Sequence, residues 1–239
     1  MLVEHFDRFF EIVPVHGDAA RAEVFALRFA VYCQELRYED PTAFPDGLES
    51  DPHDARAVFA LLRQRGSGRP VACVRLILAG PDAAQPFPFE AVCQGRLDPA
   101  QIDLARLDRR RSGEISRLAV HQDFRRRRVE WQTPEATGEV EDLAIDAAGG
   151  QRRYPLLPMS LFLAAAALAM NRGLAQVLVM MEPRLARLLG ACGIRFTPVG
   201  AVIDYHGRRG PFRITHDALI EGLSSEGRAL LEVMRQRLT

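Results

Sequence analysis

The sequence predicts a mixed α/β (α+β) fold in which helices cover both faces of a central mixed sheet. Three observations lead to this prediction. Apolar runs of strand length alternate with segments of helical period, a long apolar helix is predicted after the middle of the chain, and 48 % of the 239 residues are hydrophobic. We expect one domain over residues 1–239, with a surface insertion at 121–155.

The first predicted helix covers residues 20–37, where apolar side chains form a broad face at helical spacing. Asp18 is its predicted N-cap, because a short polar side chain there can accept a hydrogen bond from the first turn. Residues 39–54 are rich in proline, glycine and acidic side chains, which is typical of a loop.

A hairpin follows this loop. Apolar runs at 56–63 and 70–78 flank a glycine-containing turn at 64–68, which is the pattern of two antiparallel strands. A proline-rich segment then holds one short helix near 89–93, and residues 113–120 form a further strand.

The second half of the chain alternates between helices and short strands. Residues 121–150 are polar and read as a long surface loop or a partly ordered insertion. The elements predicted after it are a helix at 158–171, a strand at 176–181, a helix at 183–189, short strands at 194–196 and 201–205, and helical residues over 216–238 with a break near 224–227.

Composition excludes several classes of function. The formal net charge is zero, which argues against a general nucleic-acid binder, and all 31 basic residues other than histidine are arginine, so no lysine can form a Schiff base. The cysteines show neither Cys-x-x-Cys pairing nor metal-ligand spacing, so we expect buried, reduced thiols in a cytoplasmic protein without a metal site. They are Cys33, Cys73, Cys93 and Cys192.

We expect neither a signal peptide nor a transmembrane segment. The first ten residues lack a basic start followed by an apolar core. The longest apolar run, at 156–170, is shorter than the ~20 residues that a membrane span needs.

Charged residues inside predicted strands are the most informative feature. Arginine or glutamate in an apolar strand is costly unless it is paired or faces a cleft. An acidic loop motif precedes these strands, so we expect the charges to meet in one ion-paired cleft where carboxyl pKa values are shifted. The six residues are Glu49, Asp51, Asp54, Arg75, Glu114 and Arg117.

The order and spacing of these motifs resemble a known family. The sequence contains Arg28-x-x-x-Tyr32, Tyr38, Glu49-x-Asp51-x-x-Asp54, Val74-Arg75-Leu76 and Glu114-x-Ser116-Arg117-Leu118. This order resembles the acyl-homoserine-lactone (autoinducer) synthases, whose fold is a GNAT-like acyltransferase fold.

Three departures resemble a neighbouring branch instead. Tyrosines stand at two aromatic positions, the segments 79–112 and 121–150 are long, and residues 194–214 have their own pattern. These features are similar to the PEP-CTERM/exosortase system-associated acyltransferases and the N-acyl amino acid synthases.

The resemblance implies attack of an amine on an acyl thioester. It makes Glu114 the first candidate for the general base, with Glu49 or Asp51 second. It also implies that a backbone N–H in the strand over 116–120 stabilises the oxyanion. The alternative for Glu114, Arg117, Arg75 and the loop acids is a structural ion-pair network, and the two interpretations are compatible.

The acceptor side of the site follows from the same resemblance. Tyr32 and Tyr38 lie in the region that shapes the acceptor pocket, and Ser116 and Leu118 belong to the adjoining strand. Arg28 could bind an acceptor carboxylate through its planar guanidinium, or it could pair with the loop acids.

The acyl-chain pocket would be drawn from a group of apolar residues for which ordinary core packing is the alternative. These are Met159, Leu161, Phe162, Met170, Val177, Val179, Met180 and Met181.

The donor is predicted from a missing motif. No glycine-rich turn follows the strand at 113–120, so no pyrophosphate cradle is expected. This favours the phosphopantetheine thioester of acyl carrier protein (acyl-ACP) as a donor substrate, with no bound cofactor. The run Arg125, Arg126, Arg127 and Arg128 could dock its acidic surface, the alternatives being a solvated charge run or nucleic-acid binding.

Together these interpretations predict an N-acyltransferase that moves a long fatty acyl chain from acyl carrier protein to the amine of an amino acid or similar small acceptor. The only membrane contact expected is peripheral, through the lipid product. The alternatives are an acyl-homoserine-lactone synthase and a non-catalytic GNAT-fold interaction protein of an exosortase-type sorting system.

Overall fold

The structure is a computed structural model that describes residues 1–80, 82, 85–124, 144–146 and 153–239. The arginine run Arg125–Arg128 and most of the insertion predicted at 121–155 lie outside the described residues.

Seven α-helices are present in the described residues. They are α1 (Leu2–Phe9), α2 (Gly17–Arg28), α3 (Pro88–Val92), α4 (Leu156–Met170), α5 (Pro183–Ala191), α6 (His216–Gly222) and α7 (Ser225–Arg237). A π-helical segment, Phe29–Glu35, continues directly from α2.

Ten strands are described. They are β1 (Phe10–Pro14), β2 (Ala57–Gln64), β3 (Pro70–Ile77), β4 (Ser112–Val120), β5 (Ala144–Asp146), β6 (Arg153–Pro155), β7 (Gln176–Met181), β8 (Thr197–Pro198), β9 (Ile203–Asp204) and β10 (Arg208–Thr215).

One large sheet organises the chain, in the order β1-β2-β3-β4-β7-β10-β8, with β9 also pairing with β10. Every neighbouring pair in it is antiparallel except β4 and β7, which are parallel. Strands β5 and β6 form a separate antiparallel pair. The sheet is therefore mixed, as the sequence predicts.

Both faces of the sheet are covered. Helices α1, α4 and α7 pack on one face, and α2, the π-helical segment and α3 pack on the other. Every residue of α4 from Leu156 to Ala169 is buried. A helix that is apolar on all sides is stable only when it is enclosed, and α4 lies between the sheet and α7.

Most predicted elements are present, and three expectations are wrong. Helix α2 begins at Gly17, one residue before Asp18, so Asp18 lies in the first turn rather than at the N-cap. The strand predicted at 194–196 does not form at these residues, and the next two, Thr197–Pro198, pair with β10 as β8 instead. The short strand predicted at 201–205 is reduced to Ile203–Asp204.

Helix α1, strand β1 and β10, the eight-residue strand between β7 and β8, were not predicted from the sequence. Gly210 and Pro211 interrupt the apolar pattern of β10, and these residues are rare in strand interiors. Strand β10 nevertheless pairs with β7 over six of its eight residues, from Gly210 opposite Met181 to Thr215 opposite Gln176.

Helix length in the described residues bears on the membrane question. No helix in these ranges is both long enough and apolar enough to cross a bilayer, and α4 has 15 residues.

Candidate active site

The candidate active site lies where the two parallel strands separate. Strands β4 and β7 pair only from Ser112 and Gln176 to Ile115 and Val179. Beyond this point β4 continues to Val120 and β7 to Met181 without pairing with each other. This separation leaves a gap in the middle of the sheet, and side chains from elements on both faces of the sheet can reach it.

A cavity of about 300 Å³ occupies this gap. Its wall includes Phe162 of α4 and Leu185 of α5 from one face of the sheet, and Phe89 of α3 from the other. It also includes eight of the residues that the sequence nominates: Tyr32, Tyr38, Asp51, Arg75, Glu114, Ser116, Arg117 and Leu118. A polar wall therefore adjoins an apolar one, so the cavity can bind a ligand that has both a charged and an apolar part.

Glu114 is a buried carboxyl group on this wall. Its side chain accepts a hydrogen bond from the backbone N–H of Phe89, at 3.0 Å, and the residue is 3 % exposed. Burial disfavours its charged form and raises the pKa of Glu114 to about 8, against the opposing effects of that hydrogen bond and the Arg75 charge. A carboxyl group with a pKa near neutrality is suited to proton transfer.

Arg75 connects the acidic loop to the sheet. It lies opposite Ser116 in the β3–β4 ladder and donates to the Ser116 hydroxyl at 2.9 Å. Its Nη1 also donates to Asp51 and to Asp54, both at 2.7 Å. Because Arg75 is 2 % exposed, these carboxylates supply the pairing that a buried cation needs.

Arg28 lies behind the cavity wall. It is completely buried and pairs with Glu49 and with Asp54, the latter at 2.8 Å. Neither Arg28 nor its two partners belongs to the wall. Of the two alternatives for Arg28, the structure thus shows pairing with the loop acids.

The loop carboxylates respond to these arginines. Burial by itself would raise the pKa values of Asp51 and Asp54. Together, the charges and hydrogen bonds of the neighbouring arginines, Arg75 foremost for Asp51 and Arg28 foremost for Asp54, outweigh burial and hold both pKa values below their usual range. Both acids therefore stay ionised at neutral pH while Glu114 can exchange a proton.

Arg117 does not pair with Glu114, although the two are close in sequence. In the described contacts its guanidinium lies 2.9 Å from Glu39, 3.1 Å from Glu49 and 3.4 Å from Asp51. The backbone of Arg117 has a φ of 46°, and the β3–β4 register shifts here. Cys73 faces Ala119 while Arg75 faces Ser116, so β4 carries one extra residue, which is a β-bulge.

Comparison with known proteins identifies the architecture. A sequence profile for the acetyltransferase (GNAT) domain matches residues 27–133. TofI, in a ternary complex with an inhibitor and MTA, superposes with a TM-score of 0.59 and 18 % identity, covering 93 % of this chain and 96 % of its own. The chain has a GNAT-like fold.

Two further structures share the GNAT-like fold. FeeM, an N-acyl amino acid synthase from uncultured soil microbes, has a TM-score of 0.56 and 12 % identity, with 90 % of this chain and 94 % of FeeM covered. BjaI, a CoA-dependent acyl-homoserine lactone synthase with SAM and isopentyl-CoA, has a TM-score of 0.54 and 18 % identity, with 89 % of this chain and 90 % of BjaI covered. A search of curated proteins found no match.

Several wall residues of the GNAT-like domain were not nominated from sequence. Phe89 of α3 covers Glu114, Tyr205 and His206 come from the turn between β9 and β10, and Arg209 comes from β10. His206 stacks on Tyr38, with ring centroids 4.6 Å apart.

The predicted acyl-chain residues divide into two groups. Phe162, Val179, Met180 and Met181 line the cavity. The remaining four are absent from its wall, and two of them, Met159 and Leu161, are core residues of α4. The four residues outside the cavity wall are Met159, Leu161, Met170 and Val177.

Proposed function

We propose that residues 1–239 form one GNAT-like domain that transfers a fatty acyl chain from a thioester to the amine of an amino-acid-like acceptor. The observation that carries this proposal is Glu114, a buried carboxyl with a raised pKa on the wall of a cavity between separated strands. The likeness to FeeM and BjaI in fold supports the class of reaction.

Glu114 serves as the general base in this proposal. The acceptor ammonium gives a proton to the Glu114 carboxylate, directly or through water, and the freed amine attacks the thioester carbonyl. A C–N bond forms and the carbonyl oxygen becomes an oxyanion, which a backbone N–H of β4 near the bulge stabilises. Collapse then breaks the C–S bond, and the sulfur leaves as a thiol with a proton from the former ammonium.

The ionic network supports the acceptor side of the cavity. Asp51 and Arg75 form part of the wall, while Glu49, Asp54 and Arg28 lie behind it and hold the acidic loop against the sheet. Tyr32, Tyr38, Ser116 and Leu118 would surround the acceptor and the reacting carbonyl.

Acyl carrier protein is the donor we propose, because residues 121–128, directly after the strand at 113–120, contain no glycine that could form a turn to hold a pyrophosphate. This donor would place the reaction in the cytoplasm. Docking through Arg125–Arg128 and an association with an exosortase-type system remain predictions. The CoA dependence of BjaI makes acyl-CoA the donor to compare.

Product formation tests the proposed function. We expect purified protein, supplied with long-chain acyl-ACP and the standard amino acids, to form an N-acyl amino acid detectable by mass spectrometry. Acyl-CoA should be used less well. S-adenosylmethionine is included as a further acceptor, and an acyl-homoserine lactone as the sole product would favour the autoinducer reaction. No thioester consumption with any combination would contradict an enzymatic role and leave the non-catalytic interaction protein.

Chain length should respond to the apolar wall. Leu185→Phe adds volume to a buried residue on the cavity wall, and we expect the product distribution to shift toward shorter acyl chains. The measurement is the mass distribution of products from mixed acyl-ACP donors. Leu188→Phe, on the same helix and outside the wall, is the matched control and should leave the distribution unchanged. An identical distribution for both variants would place the hydrocarbon chain elsewhere.

A further inference from the structure

The bulge in β4 is held in a conformation that its own residue type disfavours. Arg117 has a φ of 46°, in the left-handed region that side chains other than glycine adopt at a cost. Among the described residues two other non-glycine positions share this feature, Arg37 and His206, and neither lies within a strand. Such strain persists only where surrounding contacts enforce it.

Side-chain contacts to Arg117 supply this enforcement. Its Nε and Nη2 both reach Glu49, at 3.2 and 3.1 Å, and Nη2 reaches Glu39 at 2.9 Å. Glu49 is itself buried and held by Arg28. The Arg117 side chain is therefore fixed to the acidic loop, which is anchored independently of β4.

Tyr32 connects Leu118, the second residue of the bulge, to the layer formed by α2 and the acidic loop. Its hydroxyl donates to the backbone carbonyl of Leu118 at 3.1 Å, and the Arg117 guanidinium lies 5.3 Å from the centre of its ring. The π-helical segment that follows α2 carries Tyr32 to this position. Both residues of the bulge, Arg117 and Leu118, are thus connected to the layer formed by α2 and the acidic loop.

The bulge lies beside the cavity, so its conformation affects the cavity wall. The bulge lies just after Ile115, where β4 leaves β7, and both Arg117 and Leu118 line the cavity. An extra residue in a strand re-orients the peptide groups around it, so the direction of their N–H groups depends on the left-handed conformation at Arg117.

We propose that Arg117 and Tyr32 are positioning residues that hold the β4 bulge in the orientation that stabilises the oxyanion. This inference rests on the proposed acyl transfer. The ion pairs of Arg117 fix the conformation of the β4 backbone, and the guanidinium has no role in contacting the substrate.

Glycine and alanine at position 117 separate these two roles. Both substitutions remove the guanidinium, but glycine adopts a positive φ without strain and alanine does not. We expect Arg117→Gly to retain about tenfold more kcat than Arg117→Ala, the rate equivalent of the left-handed strain, with similar KM values for the amine. Equal kcat in the two variants, with KM raised in both, would assign Arg117 to substrate contact and overturn the inference.

Amide hydrogen exchange of the peptide spanning residues 112–120 gives a readout that needs no turnover. We expect faster exchange in Arg117→Ala than in wild type, and partial recovery in Arg117→Gly. Tyr32→Phe, which keeps the ring and removes the hydrogen bond to Leu118, should lower kcat with an unchanged KM for the amine. Equal exchange in the glycine and alanine variants would contradict the held bulge.

The two readouts keep this inference separate from the proposed function. A wild-type protein without acyl transfer, but with the expected exchange differences, would remove the reaction and the catalytic half of the inference while leaving the held bulge. An active wild type whose two variants differ in exchange but not in kcat would show a held bulge that does not position the oxyanion donor, and would overturn the inference.

Discussion

Glu114→Gln is expected to lower kcat/KM for acyl transfer by about 100- to 10,000-fold, the range that a general base contributes. Glutamine has nearly the same shape and can still accept the N–H of Phe89, so the cavity should keep its form. Steady-state kinetics with acyl-ACP and the identified acceptor measure the effect. A variant with more than a tenth of wild-type activity would exclude Glu114 as the base.

The pH dependence of this effect has a defined sign. The carboxylate is the form that accepts a proton, and the pKa of Glu114 is about 8, so wild-type activity should rise as pH increases from 7 to 9. Deprotonation of the free amine also raises the rate over this range. The ratio of wild-type to Glu114→Gln rates removes that shared contribution, and it should increase with pH through about 8.

Stability gives a second check on Glu114. Its folded pKa lies above the ordinary value of 4.5, so the folded state keeps a proton that the unfolded state has lost between about pH 4.5 and 8. The free energy of unfolding therefore falls as pH rises through this window. Glutamine does not titrate and therefore lacks this pH dependence, so the thermal stability of Glu114→Gln relative to wild type should increase from pH 5 to pH 8. A constant difference would mean that the carboxyl group titrates normally.

Arg28→Met is expected to lower the free energy of unfolding by about 3 kcal/mol, because removal of one member of a buried ion-pair network leaves, among the described ion pairs, the buried Glu49 with Arg117 alone and Asp54 with Arg75 alone. Arg28 itself is fully buried. Chemical denaturation at neutral pH measures the loss. Arg106→Met is the matched control, since Arg106 is 89 % exposed and should change stability by less than about 0.5 kcal/mol.

The same variant tests the role of the network at acid pH. The pKa values of Asp51 and Asp54 are lowered in the folded state, so their contribution to stability is present above their unfolded pKa of about 3.8 and is lost as pH falls below it. This acid sensitivity should be weaker in Arg28→Met, which lacks one source of the shift. Arg28→Lys separates the alternative role: a raised KM for the acceptor with wild-type stability would return Arg28 to the acceptor pocket.

The elements that carry the site were predictable from local pattern. The bounds predicted for β7, 176–181, agree with the structure, and those of β2, β3 and β4 differ from it by no more than one residue at either end. These segments have strong apolar runs and clear turn residues, which act over short distances in the chain. The break between α6 and α7 is also local, because Ser224 caps α7 by accepting the N–H of Gly227.

The charged members of the site were predictable because their surroundings are apolar. An arginine within Val71–Leu78 or a glutamate beside Ile115 must find a partner or a cavity. The pattern alone left open which acid meets which arginine. In the part of the chain that the structure describes, Asp51 and Glu49 pair with Arg75 and Arg117, whereas Glu114 accepts a hydrogen bond from the backbone of Phe89.

By itself the sequence determined most elements from α2 to α7, the mixed sheet with helices on both faces, and the set of charged residues that had to converge. Only the tertiary structure decided that Arg28 faces the interior, that β10 extends the sheet beside β7, and that β4 bulges at Arg117 where it leaves β7. The physical reason is distance along the chain. Arg117 meets Glu39 from 78 residues away, and such contacts follow from the packing of whole elements rather than from any local pattern.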